Sequence, residues 1–116
     1  MEQSSTYIVR FDRLNAADAG RAAESLRRSL QEVDPTIRAR RVRSDSDAMD
    51  LGGALAVVLS AGAVVELARG IANWLARAPA SRVTVIRPDG RIIVENISAR
   101  DAADLAEKLQ KGDGER

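Results

Sequence analysis

Apolar residues recur along the chain with two different periods. In residues 6–11, TYIVRF, large apolar side chains fall on every second position, which is typical of a strand with one buried face. The buried face would carry Tyr7, Val9 and Phe11, and the other face Ile8 and Arg10. We predict the first strand here.

A helix is predicted to follow. Asn15 is a favourable N-cap and Asp18 lies in the first turn, where an acid is stabilising. Pro35 disfavours helical geometry in the residue before it, so the helix should end there. The apolar residues that share its buried face are Ala19, Ala22, Ala23, Leu26, Leu30 and Val33.

Residues 36–43, TIRARRVR, predict a second strand. Because its apolar residues break strict alternation, we expect an edge position or a bulge near Arg40 and Arg41. Residues 44–50, SDSDAMD, predict a polar loop.

A long helix is predicted from about Met49 to Ala78, where Pro79 follows. From Glu66 onward it is amphipathic, with a polar stripe that continues to Asn73 and Arg77. In a straight helix, the same stripe is apolar before Glu66. Its earlier positions are Leu51, Leu55, Leu59 and Gly62.

Two interpretations of residues 51–65, LGGALAVVLSAGAVV, follow. A straight helix would expose an apolar surface to a partner or a second copy, whereas a break near Ser60–Gly62 would turn those leucines into the core. Trp74 is either an anchor at that interface or a residue that closes the core. The hypothetical interface consists of Leu51, Gly52, Leu55, Ala56, Leu59, Ser60, Gly62 and Trp74.

Residues 82–97 predict an antiparallel hairpin, because two β-branched runs flank Pro88, Asp89 and Gly90. A final helix should start at Ser98 as N-cap with Asp101 at N3, and bury Leu105, Ala106 and Leu109. The order β-α-β-α-β-β-α indicates an α+β, two-layer fold with a four-stranded mixed sheet and helices mainly on one face. We expect a single domain over residues 1–116, with an ordered core at about 6–110 and a tail at 111–116.

Composition narrows the possible functions. The chain has no cysteine and no histidine, which excludes thiolate and imidazole chemistry and the usual zinc sites. Asp45, Asp47 and Asp50 do not fit a calcium-loop pattern, and no Walker-type glycine loop is present. We therefore expect no enzyme activity, no cofactor and no metal.

Location is predicted from two further features. Residues 1–12 have no signal-peptide core, so we expect a cytoplasmic protein. The uncharged run of residues 51–65 would span about 22 Å as a helix, short of a hydrocarbon core of about 30 Å. We expect no membrane span, and a peripheral membrane sensor is only a third interpretation.

Arginines are concentrated in the second predicted strand. Arg38, Arg40, Arg41 and Arg43 could contact phosphates, which makes a nucleic-acid-binding module the alternative function. However, the net charge is only +1, and Phe, Trp and Tyr occur once each. Because bases need aromatic side chains to stack on, we favour a charged edge strand that discourages aggregation.

Three segments carry a resemblance to a known family: LRRSLQEVDPTIRARRV, then MDLGGALAVVLSAGAVVELARGIANWL, then RVTVIRPDGRIIVENISARDAADLAEKL. They resemble the effector-associated constant component family, first type, of bacterial conflict systems, and the resemblance covers roughly Tyr7 to Leu109. The most specific parts are the DP after the first helix, LSAGA, WL and the VTV..PDG hairpin. None is a catalytic signature, and the resemblance supplies no active-site residues.

The resemblance implies a function in defence. Members look like small noncatalytic components encoded beside variable effectors, such as caspase-like or trypsin-like peptidases and sometimes NTPases. We therefore expect an adaptor or regulator, for example in antiviral defence, that contacts an effector protein, itself or both.

Overall fold

The computed structural model describes residues 4–42, 54–60, 62–105 and 107–109 of the chain. The helices and strands are β1 (Ser4–Phe11), α1 (Ala16–Val33), β2 (Arg38–Val42), β3 (Ala54–Ser60), α2 (Val64–Arg77), β4 (Val83–Ile86), β5 (Ile92–Ile97) and a C-terminal 3₁₀ helix (Ala99–Asp104). The strands form one five-stranded sheet in the order β2-β3-β1-β4-β5. An α+β fold is thus confirmed.

The sheet differs from the predicted one in two respects. It has five strands instead of four, and every neighbouring pair is antiparallel, so the prediction of a mixed sheet was wrong. β1 and β2 run in the same direction because each pairs antiparallel with β3, which lies between them. The first six elements therefore form a split β-α-β arrangement of the ferredoxin-like type, and β5 extends it next to β4.

The largest correction concerns the long helix predicted from Met49 to Ala78. Its first half contains strand β3, which pairs with β1 on one side and with β2 on the other. A strand that is paired on both edges and covered by neighbouring side chains is apolar on both faces, so its sequence lacks alternation. Residues 43–53, which include the start of the predicted helix, lie outside the described residues.

The second half of that prediction is confirmed as α2. Ser60 ends β3, and Gly62 adopts a left-handed conformation with φ of 91° just before the helix. A break at this point is what the second interpretation of residues 51–65 required, although it separates a strand from a helix and not two helices. Asn73 and Arg77 are exposed on α2, as the polar stripe predicts.

α1 begins and ends where the sequence predicts. The side chain of Asn15 accepts a hydrogen bond from the backbone N–H of Asp18 at 2.8 Å, which satisfies one of the free donors of the first turn. The helix ends at Val33, and the backbone N–H of Asp34 closes its last turn by donating to the carbonyl of Leu30.

β2 lies at the edge of the sheet, as predicted. The expected bulge near Arg40 and Arg41 is absent from this strand, because its register with β3 is continuous from Arg38 to Val42. Its broken apolar pattern therefore reflects the edge position alone.

The hairpin of β4 and β5 is confirmed. Pro88, Asp89 and Gly90 form its turn, Gly90 has φ of 91°, and the N–H of Arg87 donates to the carbonyl of Arg91 at 2.8 Å. The pairing of the two strands contains irregular steps, and Asn96 adopts φ of 57° in β5. Its N–H donates to Thr84 Oγ1 at 3.1 Å, which ties this irregularity to β4.

The C-terminal helix starts after Ser98, as predicted, but as a 3₁₀ helix, and the side chain of Ser98 makes no capping bond to the backbone. Leu105 and Leu109 are fully buried, as expected. The predictions for Ala106 and for the tail at 111–116 lie outside the described residues.

One hydrophobic core lies between the sheet and the helices. The strands contribute to it through every second residue, such as Val9 in β1 and Val57 in β3, and α1 contributes Leu26 and Leu30. None of the helices in the described part of the chain is long and apolar enough to cross a membrane.

Candidate interaction surface

Two of the three predicted interface leucines lie inside the protein. Leu55 is 0% exposed and Leu59 is 2% exposed, and both belong to the core beneath the helices. They do not form a helical stripe, because both are in strand β3. Leu51 and Gly52 lie outside the described residues.

Trp74 also belongs to the core. It is 4% exposed, and its ring meets that of Phe11 edge to face at a centroid distance of 5.5 Å. Its indole N–H donates to the hydroxyl oxygen of Ser25 at 2.9 Å, which links α2 to α1. Of the two interpretations of Trp74, the structure agrees with the one in which it closes the core.

The remaining predicted interface residues lie in different parts of the structure. Ala56 is in β3 on the face of the sheet away from the helices, Ser60 is exposed at the end of that strand, and Gly62 is exposed in the turn before α2. Of the eight predicted residues, the structure therefore does not bring the six that it describes together on one surface.

Alternation along the strands defines a second face of the sheet, which we call the open face. In β1 the residues next to the core positions are Thr6, Ile8 and Arg10, and in β3 they are Ala54, Ala56 and Val58. No helix in the described part of the chain packs on this face, since all helical core residues belong to the single cluster on the other side. The remaining members of the open face are Arg38, Arg40 and Val42 in β2, Thr84 and Ile86 in β4, and Ile92 in β5.

The strand register aligns an apolar row across the open face. Ile8 pairs with Ala56 on one side and with Ile86 on the other, and Ile86 pairs with Ile92. Ile92 is 50% exposed, more than any other large apolar side chain in the described part of the chain. The row ends at β2 with Arg40, the partner of Ala56.

The arginine cluster of the second predicted strand is divided between the two faces of the sheet. Arg38 and Arg40 are exposed on the open face, and Arg10 of β1 lies on the same face. Arg41 lies on the helix side, where its guanidinium group packs against α1 at Gly20. Arg43 lies outside the described residues.

Several arginines of α1 and α2 are paired with acids. Arg27 forms an ion pair with Glu24, and Arg77 approaches Glu32 at 3.9 Å. The hydrogen bond from Arg27 lowers the pKa of Glu24 below its ordinary value, and the charges of Arg27, Arg28 and Arg41 act in the same direction. These arginines and acids therefore partly neutralise one another.

The arginines on the open face differ from those of the helices in their ion pairing. Among the residues that the structure describes, no ion pair is found for Arg10, Arg38 or Arg40. Asp12, which follows β1 on the same face, accepts hydrogen bonds from Thr84 Oγ1 at 2.8 and 3.1 Å. The open face thus combines an apolar row with three arginines that form no ion pair with any other residue that the structure describes.

A second concave region lies between α1 and α2 and has a volume of about 500 Å³. Its polar side chains are engaged with each other, since Trp74 donates to Ser25, Arg77 donates to Ser29 and Arg77 approaches Glu32. We regard this region as a polar seam between the helices.

The sequence carried a signal for the open face. Ile8 and Arg10 were already placed on a common face of the first strand, opposite Tyr7 and Val9. Val58, Ile86 and Ile92 were missed as surface residues because their neighbours across the sheet depend on the strand order. That order in turn depends on β3, which the sequence pattern did not reveal.

Comparison with known proteins identifies the family. The family described as effector associated constant component 1 matches residues 15–112, so the chain belongs to that family and the suspected resemblance is confirmed. Its name describes a component that is associated with an effector. No curated protein matches the chain, and no solved structure matches it.

Proposed function

We propose that this protein is a noncatalytic adaptor of a bacterial conflict system that acts by binding its effector protein through the open face. Family membership supports an association with an effector. The observation that carries the proposal is the open face itself, where an apolar row adjoins Arg10, Arg38 and Arg40. Apolar side chains rimmed by charged groups are typical of protein interfaces.

The composition supports a noncatalytic function. A chain without histidine or cysteine lacks the commonest general base and the most reactive nucleophile. Binding requires neither.

The proposal is tested by measuring mass in solution. The full chain is mixed with the product of the adjacent effector gene, such as a peptidase, and the molar mass is determined by size-exclusion chromatography with light scattering. We expect a complex with a mass that corresponds to both proteins. A mixture in which the two proteins elute separately at micromolar concentrations would contradict the proposal.

The same measurement on the chain alone tests self-association. A homo-oligomer that persists when the effector binds would identify an assembling adaptor with a second interface elsewhere. An oligomer that dissociates on effector binding would place the two contacts on overlapping surfaces. Both results are compatible with an adaptor. An oligomer that does not bind the effector would contradict the proposal.

Nucleic acid is the competing ligand. Arg38 and Arg40 would suit phosphates, but all three aromatic residues of the chain, Tyr7, Phe11 and Trp74, are buried on the core side. In sheets of this type that bind RNA, aromatic side chains on the exposed face stack on the bases. The open face therefore lacks the feature that a nucleic-acid platform needs.

A further inference from the structure

We propose that the open face binds an acidic, amphipathic segment of a partner protein. Its apolar side chains would lie along the isoleucine row and its carboxylates would pair with Arg38 and Arg40. This inference rests on the proposed function, because it specifies the chemistry of the effector segment that the adaptor recognises.

The dimensions of the row suit a short segment. From Ile92 in β5 to Arg40 in β2 the row crosses all five strands. At a strand spacing of about 4.8 Å this is roughly 19 Å, the length of about 13 residues of α-helix. A segment of three to four helical turns would therefore reach from the apolar end to the arginines.

The sizes of the side chains on the open face also favour a bound segment. Ala56 lies between Arg40 on β2 and Ile8 on β1, and Ala54 lies between Val42 and Arg10. These small side chains leave a shallow depression where the isoleucine row crosses β3. Both alanines are buried at its floor, while Arg40 remains exposed at its side.

Charge determines which occupant we favour. Arg10, Arg38 and Arg40 are without ion pairs in the described part of the chain, and Asp12 lies beyond Arg10 at the end of β1, away from Arg38 and Arg40. A second copy that placed its open face against the first would bring like charges together, which is unfavourable. Nucleic acid would satisfy the arginines but leave Ile8, Ile86 and Ile92 against sugars and phosphates. Acidic side chains beside apolar ones satisfy both parts of the face.

The test uses a defined probe. A fluorescein-labelled 16-residue peptide carries Leu at helical positions i, i+3, i+4 and i+7 with Glu on the flanking positions, and its affinity for the full chain is measured by fluorescence anisotropy. Two matched peptides replace every Glu by Lys or every Leu by Ser. We expect the Glu peptide to bind with Kd of roughly 1 to 100 μM. The Lys peptide and the Ser peptide should each bind at least tenfold more weakly.

Variants of the chain locate the site. Arg38→Gln combined with Arg40→Gln should weaken binding of the Glu peptide at least tenfold, whereas Arg41→Gln, in the same strand on the other face, should change it less than twofold. Circular dichroism checks that each variant is folded. In ¹H–¹⁵N spectra, the peptide should shift the amides of Ile8, Ile86 and Ile92 and leave those of α2 unchanged.

Several outcomes would overturn the inference. They are equal binding of the Glu and Lys peptides, no binding of the Glu peptide at 1 mM, shifts confined to α1 and α2, or tighter binding of a 20-nucleotide single-stranded DNA. If the effector binds the chain and the arginine variants bind it equally well, the chain remains an effector-binding adaptor, but its contact through the open face and this inference both fail. If the Glu peptide binds at the open face and the effector does not bind, the site exists and the proposed function fails.

Discussion

Arg40 and Arg41 are neighbours in β2, yet their side chains lie on opposite faces of the sheet. Arg40 pairs across the sheet with Ala56 on the open face. A Cβ atom built at Gly20 of α1 would lie 2.6 Å from Nη2 of Arg41, which places that guanidinium group against the helix. One strand thus carries an arginine on the open face beside an arginine that packs against α1.

Leu55 is expected to stabilise the fold and not an interface. Leu55→Ala removes a fully buried side chain and should lower the free energy of unfolding by about 2 to 5 kcal/mol. Val58→Ala, in the same strand on the open face, should lower it by only about 1 kcal/mol because Val58 is half-buried. Urea denaturation followed by circular dichroism measures both. Comparable losses would contradict the assignment of the two faces of β3.

Gly70 allows the close approach of α2 to α1. A Cβ atom at this position would lie 3.3 Å from Cα of Leu30 and closer still to its side chain. We expect Gly70→Ala to destabilise the protein by about 1 to 3 kcal/mol, since the helices must move apart.

Gly20→Ala is the matched control for Gly70→Ala. The atom in its way is the flexible end of Arg41, and alanine is the better helix former by about 1 kcal/mol. Thermal unfolding should show a stability that is unchanged or increased. A loss as large as that of Gly70→Ala would show that Arg41 is held more rigidly than the packing implies.

Ser25 and Trp74 form the polar link between the two helices. Ser25→Ala removes the acceptor for the indole N–H and should cost about 0.5 to 1.5 kcal/mol. The comparison with Trp74→Phe and with the double variant gives the coupling energy of the pair. A coupling energy of zero would mean that the bond contributes nothing to stability. Trp74 is the single tryptophan of the chain, so its fluorescence reports unfolding in every variant that retains it.

How much of this fold was predictable depends on the local signals in each segment. β1, α1, α2 and the β4–β5 hairpin were predicted because each carries a clear period, cap or turn. Asn15 shows this for α1 and Gly90 for the hairpin. These signals act within a few residues, so one sequence suffices to find them.

β3 was not predictable in the same way. Leu55, Val57 and Leu59 face the core, while Ala54 and Ala56 are buried on the opposite face, so the strand has no polar side. An apolar run of this kind has the same pattern as a buried helix, and the abundance of Ala and Leu favoured the helix. The adjacent Val57 and Val58 and the glycine at position 62 were the available signals for a strand followed by a turn.

The candidate site depends on this correction. A helix over residues 51–65 would place an apolar surface on Leu55 and Leu59, which in fact fill the core. Once β3 takes its place between β1 and β2, Ile8 and Arg40 lie on opposite sides of Ala56. Their proximity depends on tertiary pairing, which local sequence patterns do not encode.

Stability should decrease as the pH falls into the acidic range. The hydroxyl and backbone N–H of Thr36 donate to Asp34 and hold the pKa of its carboxyl below the ordinary value. Because the pKa is lowered in the folded state, this contribution is present above the unfolded pKa of about 3.9 and is lost as pH falls through the folded value.

Urea midpoints at pH 7, 5 and 3 measure this dependence. We expect little change from pH 7 to pH 5, since the chain has no histidine, and a clear decrease at pH 3. Asp34→Asn should reduce the difference between pH 5 and pH 3. If the variant and the original chain showed the same pH dependence, Asp34 would be excluded as a contributor to the loss of stability at low pH.

The central claim is that the open face binds the effector, and affinity for the effector protein tests it most directly. Isothermal titration of the full chain with the product of the adjacent effector gene is repeated with Arg40→Gln and with Arg41→Gln, which lose the same charge from the same strand. We expect Kd to rise at least fivefold for Arg40→Gln and to stay within twofold for Arg41→Gln. Equal affinities for the two variants, or a larger loss for Arg41→Gln, would contradict the claim.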